Sequence, residues 1–554
     1  MESRKIWATL DPFHEGGEIM GRSVANEAFL RALLALDPLD EYHFFLRDQV
    51  LARGVEEFLA REFPALAGDG RLRVRTRREL PGALAGGAYH CFHLSDCINN
   101  PAHLARLRNA LAPAAFPITA PTHSLSYTRY MRDLLAHLWP GVTARDCVVA
   151  TSRGAVGVLG ALYDHLDGCY GPLPRPRVER IPLGVDTAAL HPPDPALRAA
   201  ARDRLALGDD QCAILVFARI SQYSKMDLVP VLRAARRMAA GGLDLARLRL
   251  LVAGWTDTDD PYPATLAALA ANAGLRLDVI ARPDEAAKLG LFHAADIFLS
   301  PVDNPQETFG LTVLEAAACG LPAVVSDYDG YRDLVEDGRT GLLVPTLGPG
   351  PTPEVDALAP LVFDNQSHLL FAQQTVVDVP ALADALARLV REPGLRRALG
   401  GAARRRVLED FTWASVVRRH VRLWEELWEA PVDEAALRGR AHPLHMPYGA
   451  AFAGYPTAGW DDALPLRWSR TGEAVYRGQD YITVCAGLEG LVDPGHVSRL
   501  VFFARKPLGA GDLAAKAAAA CGLDAGQARF LVLWALKHDL LERAGCGAAS
   551  GGAG

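Results

Sequence analysis

LSPVDNPQETFGLTVLEAAACGLPAVVSDYDGYRDLVEDGRTGLLVPT, residues 299–346, decides how this chain is read. An apolar run ends at Ser300, a polar loop carries Glu307, Gly310 stands where a helix is expected to start, and Glu315 follows eight residues after Glu307. The Ala-rich stretch then breaks at Gly320-Leu321-Pro322 and a second β-rich run, Ala323–Ser326, succeeds it. Strand, loop, helix and strand in that order are the unit of a parallel sheet covered by helices. A helix beginning near Thr308–Gly310 points unbonded N–H groups and its positive dipole end into the crevice beyond the strand C-termini, where a diphosphate fits. Glu315 can then take two vicinal ribose hydroxyls on its two oxygens, with Glu307 on the sugar side of the diphosphate. The ordinary alternative is two glutamates flanking an amphipathic helix by chance, since Glu forms helix well. The Phe309-Gly310 pair, the helix break and the following strand together favour the functional reading.

Outward from this segment, short apolar runs alternate with stretches of helical period in two series. The first comprises Lys5–Thr9, Tyr42–Leu46, Arg71–Val74, His90–Leu94, Phe116–Thr119, Asp146–Ala150 and Arg180–Leu183. After HPPDPALRAA (191–200), read as a linker, the second comprises Ala213–Ala218, Arg249–Ala253, Leu277–Ile280, Ile297–Ser300, Ala323–Ser326 and Leu342–Val344. LGPGPTPEVD (347–356) reads as a loop, and helices resume from Pro380 to Ala430. The predicted fold is α/β: two doubly wound, Rossmann-like domains at 1–190 and 191–409, a helix at 410–430 returning to the first, and a small mixed or helical extension at 431–554. In that extension Tyr481–Cys485 and Arg499–Phe503 read as strand-like, and 511–542 as helix, turn at Gly522–Asp524, helix.

At 554 residues the chain is too long for one ordinary domain, and 50% apolar with 22% charged residues excludes disorder throughout. A net charge of −7 argues against a protein built on a nucleic-acid backbone, and in the terminal helix pair Gln527–Leu541 offers only Arg529 and Lys537 as cations. That pair therefore reads as a packing or partner-docking module rather than a DNA reader. Only six of the basic residues are lysines (5, 225, 288, 506, 516, 537), so a lysine in a loop carries more meaning than an arginine. Nine cysteines without a Cys-x-x-Cys pair suggest a reducing compartment. MESRKIWATLDPFHEGG lacks the apolar segment of a secretory signal, and no run reaches the ~18 uninterrupted apolar residues of a membrane span. The expectation is a cytoplasmic protein with peripheral membrane contact left open. RLRVRTRR (71–78) would give a strand one basic face, either a solvated edge or a surface for anionic lipid or a phosphorylated acceptor.

Segment 299–346 resembles the C-terminal half of the family-4 type of retaining glycosyltransferases (glycosyl transferases group 1), whose GT-B fold sets two doubly wound domains across a deep cleft. The matching element is Glu-x7-Glu, here Glu307 to Glu315. The resemblance extends over about residues 5 to 428. It implies that Glu315 binds the nucleotide ribose, that Glu307 contacts the donor sugar, and that Thr308, Phe309 and Gly310 line the diphosphate. In FARISQYSKMDLVPVLRAARRM (217–238), Arg219 and Lys225 are the two cations expected to neutralise that diphosphate; their spacing is six where the family commonly has five. Gly16-Gly17, in a strand-to-helix turn, resembles a family loop lining the donor cleft; it is not the Gly-x-Gly-x-x-Gly of a dinucleotide site. His123, after the run 116–119, resembles a family histidine near the donor's anomeric centre, with His90 and His93 as alternates; an isolated loop histidine is ordinarily structural. CVVATSRGAVGVL (147–159), RIPLGVDTAALHP (180–192) and DFTWASVVRRHVRLWEELW (410–428) resemble further family stretches, the last being the closing helix.

One departure is Asp329 in YDGY, where many members have Gly. Asp327-Tyr-Asp329 and Asp257-Thr-Asp259 spell Asp-x-Asp, but Asp is common enough for this by chance, and no metal or other cofactor is expected. The implied activity is transfer of a sugar from a nucleotide donor to an unidentified acceptor hydroxyl with retained configuration. No carboxylate is nominated as a covalent nucleophile. A non-catalytic sugar-nucleotide sensor and a same-fold nucleotide-sugar epimerase are the alternatives; a phosphorylase would need a pyridoxal-phosphate lysine, which the scarcity of lysine disfavours.

Overall fold

The computed structural model describes residues 4–14, 21–257, 259–362, 364–488 and 490–545. It divides into two compact units, residues 1–445 and 446–554.

The first unit holds two parallel sheets. Strands β1 (Ile6–Thr9), β2 (Glu41–Leu46), β3 (Leu72–Thr76), β4 (Cys91–His93), β5 (Ile118–Pro121), β6 (Asp146–Ala150) and β7 (Arg177–Arg180) form a seven-stranded sheet in the order β3-β2-β1-β4-β5-β6-β7. Strands β8 (Cys212–Phe217), β9 (Leu248–Gly254), β10 (Arg276–Ala281), β11 (Ile297–Ser300), β12 (Ala323–Ser326) and β13 (Gly341–Val344) form a six-stranded sheet, β10-β9-β8-β11-β12-β13. Helices cover both faces, so inner strands such as IFLS and AVVS are buried along their whole length and read as unbroken apolar runs. Strand order reverses between β1 and β4 and again between β8 and β11. Crevices for ligands open at such switch points, beyond the strand C-termini. The loops there are the one leaving β1 at Leu10 and that of Ser95 in one lobe, and those of Arg219–Lys225 and Glu307 in the other.

The helix Trp413–Glu429 returns to the first lobe: Trp424 Nε1 donates to Thr119 Oγ1 (3.0 Å), and Trp428 Nε1 donates to the His90 carbonyl. Residues 431–445, expected to belong to the extension, stay on this lobe as well. Arg438 donates to the Ala110 carbonyl (3.0 Å) and Glu434 accepts from the Ala115 amide (2.9 Å).

Several expectations are corrected. Half of the linker 191–200 is the start of a helix, Pro195–Arg204, because Asp194 caps it at the Leu197 amide (2.8 Å) and Pro195 fits the first turn. The strand expected at Arg180–Leu183 is β7, three residues earlier and on the polar sheet edge. The stretch 347–356 is the beginning of a two-helix excursion rather than a plain loop. β3 is an edge strand, in line with the solvated-edge reading of 71–78, and arginines in and beside it make contacts within the fold. Arg71 pairs with Asp37 (2.6 Å), Arg73 with Glu41 (3.0 Å), and Arg77 donates to the Leu10 carbonyl (2.8 Å).

The second unit has a small antiparallel sheet, in which Pro465–Trp468 pairs with Leu508–Gly509 and Leu541–Arg543, packed by the helices Pro494–Phe503, Ala510–Cys521 and Ala525–Lys537. Arg499–Phe503 is thus helical, started by the Asp493 cap and Pro494, and Tyr481–Cys485 forms no strand. The exposed residues of the last helix include the apolar Phe530 and Leu533 beside the cations Arg529 and Lys537, a mixed surface. Among the described residues no helix is long and apolar enough to cross a membrane.

Candidate functional site

The site is built on the loops after β8 and β11, which the sheet order makes neighbours. The Lys225 amide donates to the Ser221 carbonyl (3.0 Å), turning the loop back on itself, and buried Ile220 and Met226 pin its ends. Lys225 Nζ is thereby brought onto Glu307 Oε2 in a close ion pair. Glu307 Oε1 accepts the amides of Thr308 (3.2 Å) and Phe309 (3.3 Å), and the Tyr331 hydroxyl approaches Oε2 (3.4 Å). Burial pushes this carboxyl up, but the ammonium and the two amides outweigh it and hold it below the usual carboxylate range. Glu307 is therefore ionised at neutral pH.

The helix that follows, Leu311–Ala318, starts on Gly310 at φ 103°, where a Cβ would fall 2.3 Å from Tyr331 Cε1. Only glycine suits both the backbone and the space. One turn on, Glu315 is buried against Lys288, whose Nζ donates to Oε1 (2.8 Å). Glu315 Oε2 is buried and has no partner among the described residues. Burial raises this carboxyl, and Lys288 only partly offsets it. Lys288, from the helix Glu285–Ala294, also lies over the Phe217 ring, 5.6 Å from its centroid. Sequence reasoning did not nominate it, although the scarcity of lysine was a signal.

Arg219 leaves β8 toward the same loop: Nη1 donates to Ser224 Oγ (3.3 Å), and its guanidinium stacks over Trp255 at 5.6 Å. It is half-buried and lies beside the residue that precedes Lys225.

On the first lobe, His123 Nε2 is 2.8 Å from the Ser95 carbonyl. A carbonyl only accepts, so Nε2 carries the proton and Nδ1 is the acceptor atom. Burial pushes the imidazole down to about 4, so it is neutral. Gly16 and Gly17 lie outside the described residues. His90 and His93 are structural: His90 stacks on Trp428, and His93 is buried with Nδ1 against Thr119 Oγ1 (2.8 Å).

The lobes meet around these groups. Gln306 Nε2 donates to the Tyr127 hydroxyl (2.5 Å), and the Arg153 amide donates to buried Asp333 (2.6 Å). Asp329, at φ 41°, projects to the start of the helix Arg153–Tyr170, where a Cβ on Gly154 would sit 1.9 Å from its Oδ1. The departure from Gly thus occupies a backbone position that suits Gly and that Asp tolerates. Burial and the charge of Glu307 push Asp329 up to about 7. Neither Asp329 nor Gln306 was foreseen as a contact between lobes. Asp327 is held by Arg332 (2.6 Å), and among the described residues no group of three or more His, Cys, Asp or Glu side chains forms a metal-ligand set.

Fold and site together define a two-lobed α/β protein of the GT-B kind, and residues 198–348 match the family model of glycosyl transferases group 1. The chain is 38% identical over 187 residues to D-inositol 3-phosphate glycosyltransferase of Geodermatophilus obscurus, covering 33% of this chain and 39% of that protein. It is 27% identical over 290 residues to alpha-maltose-1-phosphate synthase of Mycolicibacterium smegmatis, covering 52% of this chain and 64% of that one. The matches thus span less than two thirds of these relatives' own length. A glycosyltransferase from Rickettsia africae shares the fold at a TM-score of 0.51 and 14% identity, covering 77% of this chain and 100% of that chain. Anabaena HepE, solved in complex with UDP, shares it at 0.52 and 14%, covering 76% and 100%.

Proposed function

We propose that this protein is a retaining, metal-independent glycosyltransferase that moves a sugar from a nucleotide donor to an acceptor hydroxyl. The observation that carries the reading is the Lys225–Glu307 pair at the tip of the 311–318 helix, on the switch point of the second sheet. Lys225, Arg219 and the helix tip supply positive charge to the donor diphosphate, and that charge counts most as the bond from C1 to the phosphate oxygen breaks. Glu307, ionised, accepts hydroxyls of the transferring sugar. His123, neutral with Nδ1 as its acceptor atom, accepts another from the opposite lobe. Glu315 receives the ribose hydroxyls on its unpartnered oxygen.

The acceptor oxygen attacks C1 from the face the diphosphate leaves; the new C–O bond forms as the old one breaks, and the acceptor proton passes to the departing phosphate oxygen. No side chain is asked to form a covalent intermediate. The eight described cysteines are unpaired, the state a reducing cytoplasm maintains, and we place the protein there.

The test is nucleotide release from UDP-, GDP- and ADP-sugars by the full chain. Turnover of one donor, lost in Glu307→Ala and Lys225→Ala, supports the reading. Donor binding without turnover on any acceptor makes the chain a sugar-nucleotide sensor, and sugar inversion without release makes it an epimerase.

A further inference from the structure

The family match ends at residue 348, where the backbone leaves the second lobe. Strand β14 (Thr346–Leu347) pairs antiparallel with β15 (Val376–Val377), so the chain departs and returns at one place. Between them lie the helices Pro353–Leu358 and Asp364–Ala372. This excursion reaches across to the His123 loop. His368 Nε2 donates to the Ser126 carbonyl (3.1 Å), its ring meets Tyr127 edge-on at 5.3 Å, and Thr128 Oγ1 donates to Asp364 Oδ1 (2.9 Å). On its own lobe, Gln373 Nε2 donates to Asp227 Oδ2 (3.3 Å), two residues beyond Lys225.

Residues 122–129 form neither helix nor strand; the Thr122 amide donates to the Val149 carbonyl (2.9 Å) and the Tyr130 amide to the Tyr127 carbonyl (2.9 Å), which ties the two ends of the segment. Between these points side-chain contacts hold it. Apart from the His123–Ser95 bond, the excursion supplies two of the polar contacts on 123–128, and Gln306 supplies one at Tyr127, next to Glu307. His368 is 2% exposed, with no partner for Nδ1 among the described residues, so its ring is held by packing and by the bond from Nε2 to Ser126.

We propose that the 348–375 excursion positions His123 against Glu307, with His368 as the positioning residue, and so governs sugar transfer rather than donor binding. This rests on the glycosyltransferase reading. A reacting group misplaced by about 1 Å costs on the order of 100-fold in rate, so a clamp on an irregular loop is worth keeping even where it touches no substrate. A glutamine amide reaches about as far as a histidine Nε2–H and can donate to the same carbonyl; leucine fills the space without donating.

The experiment uses the full chain with UDP-glucose, GDP-mannose and ADP-glucose as donors and water as acceptor, together with backbone hydrogen exchange over 122–129. His368→Leu is expected to lower kcat at least 10-fold with donor KM within twofold of wild type, and to speed exchange in 122–129 at least 10-fold. His368→Gln restores both to within threefold. Thr128→Val, a milder change away from the buried ring, moves both in the same direction by about threefold. Wild-type kcat and exchange in His368→Leu, or equal losses in His368→Gln and His368→Leu, overturn the proposal. If the wild-type chain hydrolyses none of the three donors while calorimetry shows no binding, the glycosyltransferase reading fails. The exchange arm then still decides whether the excursion clamps the loop.

Discussion

Glu307 precedes and Glu315 lies within the same short helix, each is largely shielded from water, and each faces a lysine, yet their carboxyls are displaced in opposite directions. Glu307 has Lys225, two backbone amides and a tyrosine hydroxyl around it; Glu315 has Lys288 on one oxygen and, among the described residues, no donor on the other. An ion pair alone does not offset the loss of water around a buried carboxylate; the added hydrogen bonds do. Glu307 is complete as a charge. Glu315 lacks donors, and on the proposed reading the ribose hydroxyls supply them.

The largest effect expected from breaking this contrast is in Lys225→Met, which strands a carboxylate wired to stay ionised. Nucleotide release should fall at least 100-fold, and stability should drop by about 2 kcal/mol, below the ~3–5 kcal/mol for removing one partner of a fully buried pair because Lys225 keeps 22% of its side chain exposed. Lys288→Met should cost less than half as much stability, because burial has already raised the Glu315 carboxyl and it takes up a proton more readily than Glu307. Equal losses in chemical unfolding of the two variants would contradict the comparison.

Glu315→Gln isolates the unpartnered oxygen. Donor KM should rise about 10-fold with kcat held, the pattern of lost ground-state binding. A carboxyl raised on folding contributes stability below its unfolded value near 4.5, and that contribution is lost as pH rises through the folded value. The variant should therefore be more stable than wild type at pH 7, with the gap closing as pH falls to about 4.5; a gap that widens on acidification would refute this. Glu307 has the opposite sign, its stabilisation being present at neutral pH and lost as pH falls through its depressed value. On acidification, donor KM should thus rise before kcat falls. The smallest effect concerns Asp329, pushed up to about 7 in part by the charge of Glu307. Glu307→Gln should lower its titration, read by carboxyl NMR; an unmoved titration would show that burial alone sets it.

The two-sheet plan was legible because strands buried on both faces leave unbroken apolar runs, and the Lys225 and Glu307 loops follow two such runs that the strand order makes adjacent. Lys288 was not legible: it sits mid-helix in EAAKLGLFHA, where a lysine reads as a solvated residue until Glu315 is placed opposite. The 348–375 excursion was hidden by its Gly- and Pro-rich opening, since Pro353 reads as a breaker and also fits a first helical turn. At β7 the apolar IPL drew the expected strand three residues too late, because the true strand, RVER, lies on the sheet edge and is polar. His123 stood out only by resemblance, and its contact with Ser95 joins two strands that sequence spacing alone does not bring together.

The central claim is that Lys225, anchored on Glu307, receives the diphosphate of an activated sugar. Titration calorimetry with UDP, GDP and ADP against wild type, Lys225→Arg and Lys225→Met tests it most directly. The account predicts saturable binding of at least one nucleotide, at least 10-fold weaker in Lys225→Met and partly retained in Lys225→Arg. No heat with any of the three, or the same affinity in Lys225→Met as in wild type, would contradict it.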